Sequence, residues 1–347
     1  IRRQRQMCIR DSSIGWELAH YGDYEFAENY WKLCLTFISS TKTTNLNDKY
    51  SGFLLGNIGW AKDRLGHYAD AVMYLQKGLN SIPKNNRRYY DQISYLLTNL
   101  GASAIHQGKY TEATKYLDEG IKYANFIKND FRVNILIENF GIIAMRMGDY
   151  TKACNLLEEG LKWSRNTDSL ERICAFLTFL GAIEIILGNN VRAKNLLDEA
   201  INIANKIYNS ERSSILLEQF GILESNKGNY QEAEKFLCDG LIIARKIKYQ
   251  WLTTSILNSY GDLQIKTQKT NLALQYFNEA LEIAKKINSQ DMTATALYGL
   301  SKTYFSNNDN NKAEYYGKMS LTILEMIGHV RKNEVKNWLS QFFLVDE

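Results

Sequence analysis

The residues of this chain that could do chemistry are its histidines, cysteines and acidic side chains, and none forms a recognisable site. The histidines form no metal-binding motif, so they are expected at the surface or satisfied in the core: His20, His67, His106 and His329. The five cysteines are scattered along the chain without a Cys-x-x-Cys pair, and they predict neither a disulfide framework nor a zinc site.

Two other patterns resemble catalytic motifs only superficially. The acidic pairs Glu158-Glu159 and Asp198-Glu199 lie 40 residues apart, as expected for a solvated helix face that recurs in a repeat. Gly101 and Gly108-Lys109 resemble a phosphate-binding loop, but six residues separate the glycines where four are required, and Tyr110 replaces the magnesium-binding Ser or Thr. The sequence therefore predicts no enzyme, no metal and no cofactor.

Composition places the chain among folded helical proteins. Hydrophobic residues make up 45% and charged residues 23%, which argues against disorder. A single proline, Pro83, leaves long stretches free to be helical. No apolar run approaches the ~18 residues of a membrane span, and no secretion signal is recognisable. We expect a cytoplasmic protein with no membrane partner.

The net charge of +4 comes from the first ten residues, which contain four arginines and no acid. This segment shows no apolar periodicity, and we interpret residues 1–11 as a non-native extension. The alternative is a nucleic-acid-binding arm, which is disfavoured because the segment has no aromatic residue for stacking on bases. We expect no nucleic-acid partner.

Glycines mark an internal repeat. The first mark recurs at spacings of 44, 42 and then 40 residues, at Gly15, Gly59, Gly101, Gly141, Gly181, Gly221 and Gly261, with Ser301 continuing the series. A second mark follows seven residues later, at Gly22, Gly66, Gly108, Gly148, Gly188 and Gly228, then Gln268 and Asn308. Twelve residues after each first mark stands an alanine, from Ala27 to Ala313. Eight copies of this pattern predict a repeat architecture.

Each unit is predicted to be a helical hairpin, in which we call the first helix A and the second helix B. Glycine inside helix A costs about 1 kcal/mol relative to alanine, so its recurrence predicts a close approach of helix B. The second glycine suits the left-handed residue that ends helix A. Asp or Asn follows it in several copies, for example Asp149 and Asn229, and is expected to cap helix B. Glu232 would complete a capping box with Asn229.

The pattern Gly-x6-Gly-x-Tyr-x-x-Ala resembles the tetratricopeptide repeat (TPR) family, with close matches at 97–101 and 108–113. The resemblance covers residues 12–328 as eight units and implies an all-α, right-handed superhelical solenoid of antiparallel helix pairs. Two features depart from the family, since the closing proline is missing and the period is 40 rather than 34. This 40-residue variant is similar to the sensor arrays of bacterial STAND-type signalling ATPases, to kinesin light chains and to Gα-binding polarity scaffolds. Residues 329–347 are expected to form a capping helix or the start of a further repeat.

The resemblance implies a concave groove, lined by helix A, that binds a protein or peptide. Carrying the family's groove positions over gives Phe53, Trp60, Asp63, Arg64, Tyr95, His106, Glu138, Met145, Arg146, Glu218, Asn258, Lys266, Tyr298 and Lys302. We expect a non-catalytic scaffold, the sensor or interaction region of a larger signalling protein whose effector or NTPase domain lies upstream. The alternatives are a free-standing adaptor like the kinesin light chains and a receptor for a short signalling peptide.

Overall fold

The computed structural model of the protein describes residues 13–40 and 44–343, apart from the side chains of 44–49. The predicted extension at 1–11 and the last four residues lie outside this range. The described part is helical, with a 3-10 turn at Arg87–Tyr89 before α5. Its helices are α1 (13–20), α2 (Tyr24–Ser40), α3 (Thr44–Arg64), α4 (Tyr68–Asn80), α5 (Tyr90–Gln107), α6 (Tyr110–Phe126), α7 (Asp130–Met147), α8 (Tyr150–Asn166), α9 (Leu170–Ile186), α10 (Asn190–Ile207), α11 (Ser210–Asn226), α12 (Tyr230–Lys246), α13 (Gln250–Lys266), α14 (Thr270–Lys286), α15 (Gln290–Ser306), α16 (Asn310–Ile327) and α17 (Lys332–Phe342).

Odd-numbered helices up to α15 are the A helices and even-numbered helices up to α16 are the B helices. Each A helix carries the first glycine mark and turns back through a short loop into its B helix. The predicted all-α solenoid of antiparallel helix pairs is confirmed. Across the described ranges, no helix combines the length and the apolar character that crossing a membrane requires.

The first glycine mark lies where the A and B helices touch. A Cβ atom on Gly141 would be 2.7 Å from Leu157, and one on Gly181 would be 2.8 Å from Leu197. The invariant alanine nearby is fully buried in each unit, as at Ala153. The predicted close approach is confirmed, because the space for a side chain at the glycine is taken by the large apolar residue of helix B.

The second glycine mark ends helix A in the left-handed conformation, with φ of 86° at Gly148. The cap that follows differs between units. Asp149 caps α8, since its Oδ1 accepts a hydrogen bond from the Lys152 N–H at 3.0 Å. The capping box predicted at Asn229 is wrong, because that side chain makes no cap hydrogen bond and donates instead to Glu224 at 2.6 Å.

The solenoid winds so tightly that its later units contact its first ones. The hydroxyl of Tyr24 donates to Glu211 at 2.8 Å, although 187 positions separate the two residues. Tyr110 donates to Asp291 at 3.0 Å across 181 positions. The N–H of Val330 donates to the carbonyl of Arg146 at 3.0 Å. We call this line of contacts the seam. It runs between the A-to-B turns of units 1–4, with the helix residues that flank them, and the A-helix starts of units 6–8, together with the turn before α17.

Helix α17 packs on the last unit. Val335 and Leu339 are buried, and Leu339 is the side chain that a Cβ on Gly317 of α16 would meet, at 2.7 Å. The ring of Trp338 lies 5.9 Å from that of Tyr298. The apolar face of the last hairpin is therefore covered in part by α17, as the ends of a solenoid require.

Candidate functional site

A cavity of about 720 Å³ lies on the inner side of the superhelix, enclosed by the A helices. Side chains from the A helix of every unit line it, from Trp16 of α1 to Asp291 of α15. It is enclosed because the seam brings the first and last units together. A volume of roughly 300–1,000 Å³ is typical of sites for small ligands, so this cavity suits a short segment rather than a folded domain.

Most of the groove residues predicted from the sequence line this cavity. They come from units 2, 3, 4 and 6: Phe53, Trp60, Arg64, Tyr95, His106, Glu138, Met145, Arg146 and Glu218. The structure thus brings residues up to 165 positions apart around one space. Their role in binding stays a prediction.

The other predicted residues lie outside the cavity lining. Asp63 is buried behind it and bonds to His106 and Arg64. Asn258 is 3% exposed. Lys266 donates to Ser225 and Asn226, Tyr298 packs against Trp338, and Lys302 pairs with Asp262 at 2.7 Å. Lys266, Tyr298 and Lys302 belong to units 7 and 8, where side chains of neighbouring helices bond to or pack against one another.

Three arginines that the sequence reasoning missed line the cavity, namely Arg132, Arg172 and Arg212. They lie nine residues before the first glycine in three consecutive units, so their 40-residue spacing was the signal that could have identified them. Each pairs with an acid. Arg132 contacts Asp91 at 3.3 Å, while Arg172 and Arg212 approach Glu138 at 2.6 and 3.7 Å.

Three asparagines also share one repeat position and line the cavity, two residues before the first glycine: Asn57, Asn99 and Asn139. Asn57 accepts a hydrogen bond from the Tyr95 hydroxyl at 2.7 Å. Asn99 is 9% exposed, so its amide is largely buried in this wall. Amide side chains both donate and accept, so a row of them can bond to the backbone of an extended peptide.

Aromatic rings fill much of the remaining wall. Trp60 lies 5.1 Å from Trp16 and beneath the guanidinium of Arg64 at 4.9 Å. Trp251 lies 5.4 Å from His106 and beneath Arg146 at 5.7 Å. Rings and arginines of this kind are the usual anchors of protein interfaces.

Buried acids hold the cavity's arginines at the seam. Burial alone would raise the pKa of Glu211, but Arg64 and Arg212 lower it below its ordinary value. The pKa of Asp291 is likewise lowered, since Arg146 and His329 outweigh the effect of burial. These carboxylates are ionised at neutral pH, and each ties a cavity-lining side chain to the seam.

Two of the histidines also lie beside buried acidic side chains. His106 lies between Asp63, 2.7 Å from Nδ1, and the Tyr249 hydroxyl, 3.2 Å from Nε2. This order resembles a proton relay, but burial raises the pKa of Tyr249 far above its usual value and keeps its hydroxyl protonated. Burial lowers the pKa of His329, which is 2% exposed, to about 4. Among the described residues, no three His, Cys, Asp or Glu side chains are placed to hold a metal ion.

Comparison with known protein families supports the repeat assignment. Residues 252–326 and 54–85 match family models described as tetratricopeptide repeat. Residues 140–218 match a model described as anaphase-promoting complex subunit 5. A search of curated protein sequences finds no match. The tetratricopeptide repeats predicted from the glycine pattern are confirmed.

Solved structures share the fold at low sequence identity. A Rap protein complexed with competence and sporulation factor is 11% identical, with a TM-score of 0.66 over 97% of this chain and 99% of that one. NprR in complex with its cognate peptide NprX is 13% identical, with a TM-score of 0.64 over 95% and 97%. A STAND protein with a tetratricopeptide repeat sensor from Pyrococcus horikoshii is 16% identical, with a TM-score of 0.52, and this chain spans 49% of its length while 90% of this chain is covered.

Proposed function

We propose that this chain is a peptide-binding scaffold that encloses a short polypeptide segment in its inner cavity. The observation that carries the proposal is the cavity itself, walled by the A helices and closed by the seam. Its walls combine arginines, amides and aromatic rings at recurring repeat positions, which suits an extended chain with repeating backbone groups. The peptide complexes of the similarly folded Rap and NprR proteins support it.

The wider role that we propose is that of a sensor region. The fold is shared with a STAND protein that has a tetratricopeptide repeat sensor, which supports a place beside an effector domain upstream in a signalling protein. We propose a non-catalytic role in the cytoplasm, residues 12–328 as the repeat array and 329–347 as its cap. The similarity to a tetratricopeptide repeat sensor favours this role over that of a free-standing adaptor.

Filling the cavity tests the proposal. Ala182 lines the cavity on α9, whereas Val191 lies on the outer face of α10 and is 78% exposed. Purified protein is incubated with a synthetic pool of random hexapeptides, and the retained peptides are identified by mass spectrometry after gel filtration. We expect the wild type and Val191→Trp to retain the same peptides and Ala182→Trp to lose them.

Thermal unfolding of each variant shows whether it is folded before binding is compared. A folded Ala182→Trp that retains the wild-type peptides would contradict binding in the cavity. Retention of no peptide by the wild type would contradict a peptide-binding function.

A further inference from the structure

Almost every carboxylate in the cavity wall is matched by an arginine. Glu138 and Glu171 pair with Arg172 at 2.6 and 3.0 Å. Glu211 pairs with Arg64 at 3.2 Å, and Asp291 lies 3.7 Å from Arg146. In each of these pairs the arginine balances the charge of the carboxylate within the cavity wall.

Glu218 is the exception among the acids that line the cavity. It is 4% exposed, and within the described residues no basic side chain lies at ion-pair distance from it. The hydroxyls of Ser255 and Ser259 both donate to one of its oxygens, Oε1, at 2.7 and 2.9 Å. The other oxygen, Oε2, accepts no hydrogen bond from the described residues.

Keeping a carboxylate ionised in this position is energetically unfavourable. Burial raises the pKa of Glu218, and the two serine hydroxyls and the more distant Arg146 offset this only in part. Two serines, one turn apart on α13, nevertheless fix the carboxylate by one oxygen. A buried charge is stabilised when a cation completes its pairing, and the cavity is where that cation can enter.

The surroundings of Glu218 fit a nitrogen cation with an apolar stem. Ile215 lies one turn before it on α11, and Trp251 lies one turn before Ser255 on α13, and both line the cavity. Arg146 lies 5.7 Å from the centre of the Trp251 ring and pairs with Asp291 at 3.7 Å. A lysine or arginine side chain lays its methylenes on such apolar walls and presents its charge to the carboxylate.

We propose that Glu218 is the specificity-determining residue that binds a cationic nitrogen of the peptide. The nitrogen belongs either to a lysine or arginine side chain or to the peptide's amino terminus. The assignment rests on the proposed function, because it takes the cavity as the peptide site. Under this assignment the ligand is a peptide whose positive charge is buried in the cavity, and Glu218 is the residue that selects for that charge.

Four synthetic hexapeptide pools test this assignment. They are random, with Lys, Arg and His excluded, at five positions, carry lysine or its uncharged analogue norleucine at the sixth, and have a free or acetylated amino terminus. Retention of each pool is measured on the wild type, on Glu218→Gln and on the matched control Glu232→Gln, which lies exposed on the outer helix α12. Both substitutions conserve shape, and thermal unfolding confirms that each protein is folded.

We expect the wild type and Glu232→Gln to retain a charged pool at least about tenfold better than the pool lacking that charge, because a charge-assisted contact in a buried site is worth that much. Glu218→Gln removes the preference. Dependence on lysine assigns the cation to a side chain, and dependence on the free terminus assigns it to the amino group. Equal retention of all pools by the wild type and Glu218→Gln overturns this assignment but leaves peptide binding intact, whereas retention of no pool overturns both.

Discussion

A glycine and the residue that faces it across the hairpin behave as a pair. In seven units the glycine of helix A meets a large apolar residue of helix B, as Gly141 meets Leu157. In the eighth unit both residues of the pair are small. Ser301 takes the glycine position and Gly317 the facing one, and the Ser301 hydroxyl donates to the carbonyl of Ala313 at 2.6 Å. The large apolar side chain at this crossing comes instead from α17, whose Leu339 would lie 2.7 Å from a Cβ on Gly317.

The contact between Gly141 and Leu157 predicts the outcome of a double-mutant cycle. Gly141→Ser overpacks the crossing against Leu157 and should cost about 1–3 kcal/mol in the free energy of unfolding. Leu157→Ala makes room, so the double variant should cost less than the sum of the two single changes. Chemical denaturation measures all three variants. Additive costs would mean that the serine does not clash with Leu157.

At the residue scale, the sequence was informative at positions where a single physical constraint fixes the residue type. The glycine and alanine marks could be predicted because sterics alone select them at every crossing. The sequence predicted Glu218 as a groove residue. It could not predict that no basic side chain of the described residues would lie at ion-pair distance from Glu218. That feature depends on Ser255, 37 positions away, and on where Arg146 finds its partner.

At the scale of the element, the caps of the B helices show two solutions to one problem. Asp149 accepts a hydrogen bond from the first turn of α8, whereas Asn229 turns back and donates to Glu224 of the preceding α11. The sequence did not distinguish them, because both are good N-cap residues. Glu224, five residues before Asn229, makes the difference. An asparagine amide can donate a hydrogen bond to this carboxylate, whereas an aspartate carboxylate cannot.

The caps therefore predict opposite responses to aspartate and asparagine. Asp149→Asn should be nearly neutral, since asparagine also accepts the Lys152 N–H. Asn229→Asp should destabilise by about 1 kcal/mol or more at neutral pH, because it places a carboxylate against Glu224 where a hydrogen bond of 2.6 Å stood. Thermal unfolding of both variants checks this. A stabilised Asn229→Asp would show that capping outweighs the contact with Glu224.

The length of the A helices explains which groove positions sequence reasoning missed. Helices such as α9 run for 17 residues, and their first turn also reaches the inner face. The groove positions carried over from the family begin six residues before the glycine, so they omit Arg132, Arg172 and Arg212 in that turn. The 40-residue period implied longer helices, but it did not say which face the extra turn would present.

At the scale of the whole molecule, the seam is the feature that the sequence could not predict. It joins residues such as Tyr24 and Glu211, and their meeting depends on small rotations between units that accumulate over half the chain. Once formed, the seam brings A helices from all eight units around one cavity. It also decides which predicted residues line it, since units 7 and 8 contribute little beyond their first turns.

Glu211 is expected to hold the seam closed. Its carboxylate accepts hydrogen bonds from Tyr24 at 2.8 Å and from Arg64 at 3.2 Å. Glu211→Gln leaves the Arg64 contact without its charge and should cost about 1–3 kcal/mol. Small-angle X-ray scattering should then give a larger radius of gyration than for the wild type. Glu25→Gln, which breaks only an exposed pair with Lys248, is the control, and an equal response of the two variants would contradict this role.

The seam should also open in acid. The pKa values of Glu211 and Asp291 are lowered in the folded chain, so their pairing stabilises it above the ordinary carboxyl pKa of about 4. That stabilisation is lost as the pH falls through the lowered values. We expect the radius of gyration to rise on acidification below about pH 4, and to rise less in Glu211→Gln. An unchanged radius at pH 3 would show that these pairs do not close the seam.

The measurement that tests the enclosed peptide site most directly is site-specific photocrosslinking. A benzophenone amino acid replaces Phe179, which lines the cavity on α9, or Val191 on the outer face of α10. Each protein is irradiated with the retained hexapeptides, and the crosslinked products are identified by mass spectrometry. We expect crosslinks to peptide from position 179 and none from position 191. Crosslinks from position 191 alone would place the peptide outside the superhelix and contradict it.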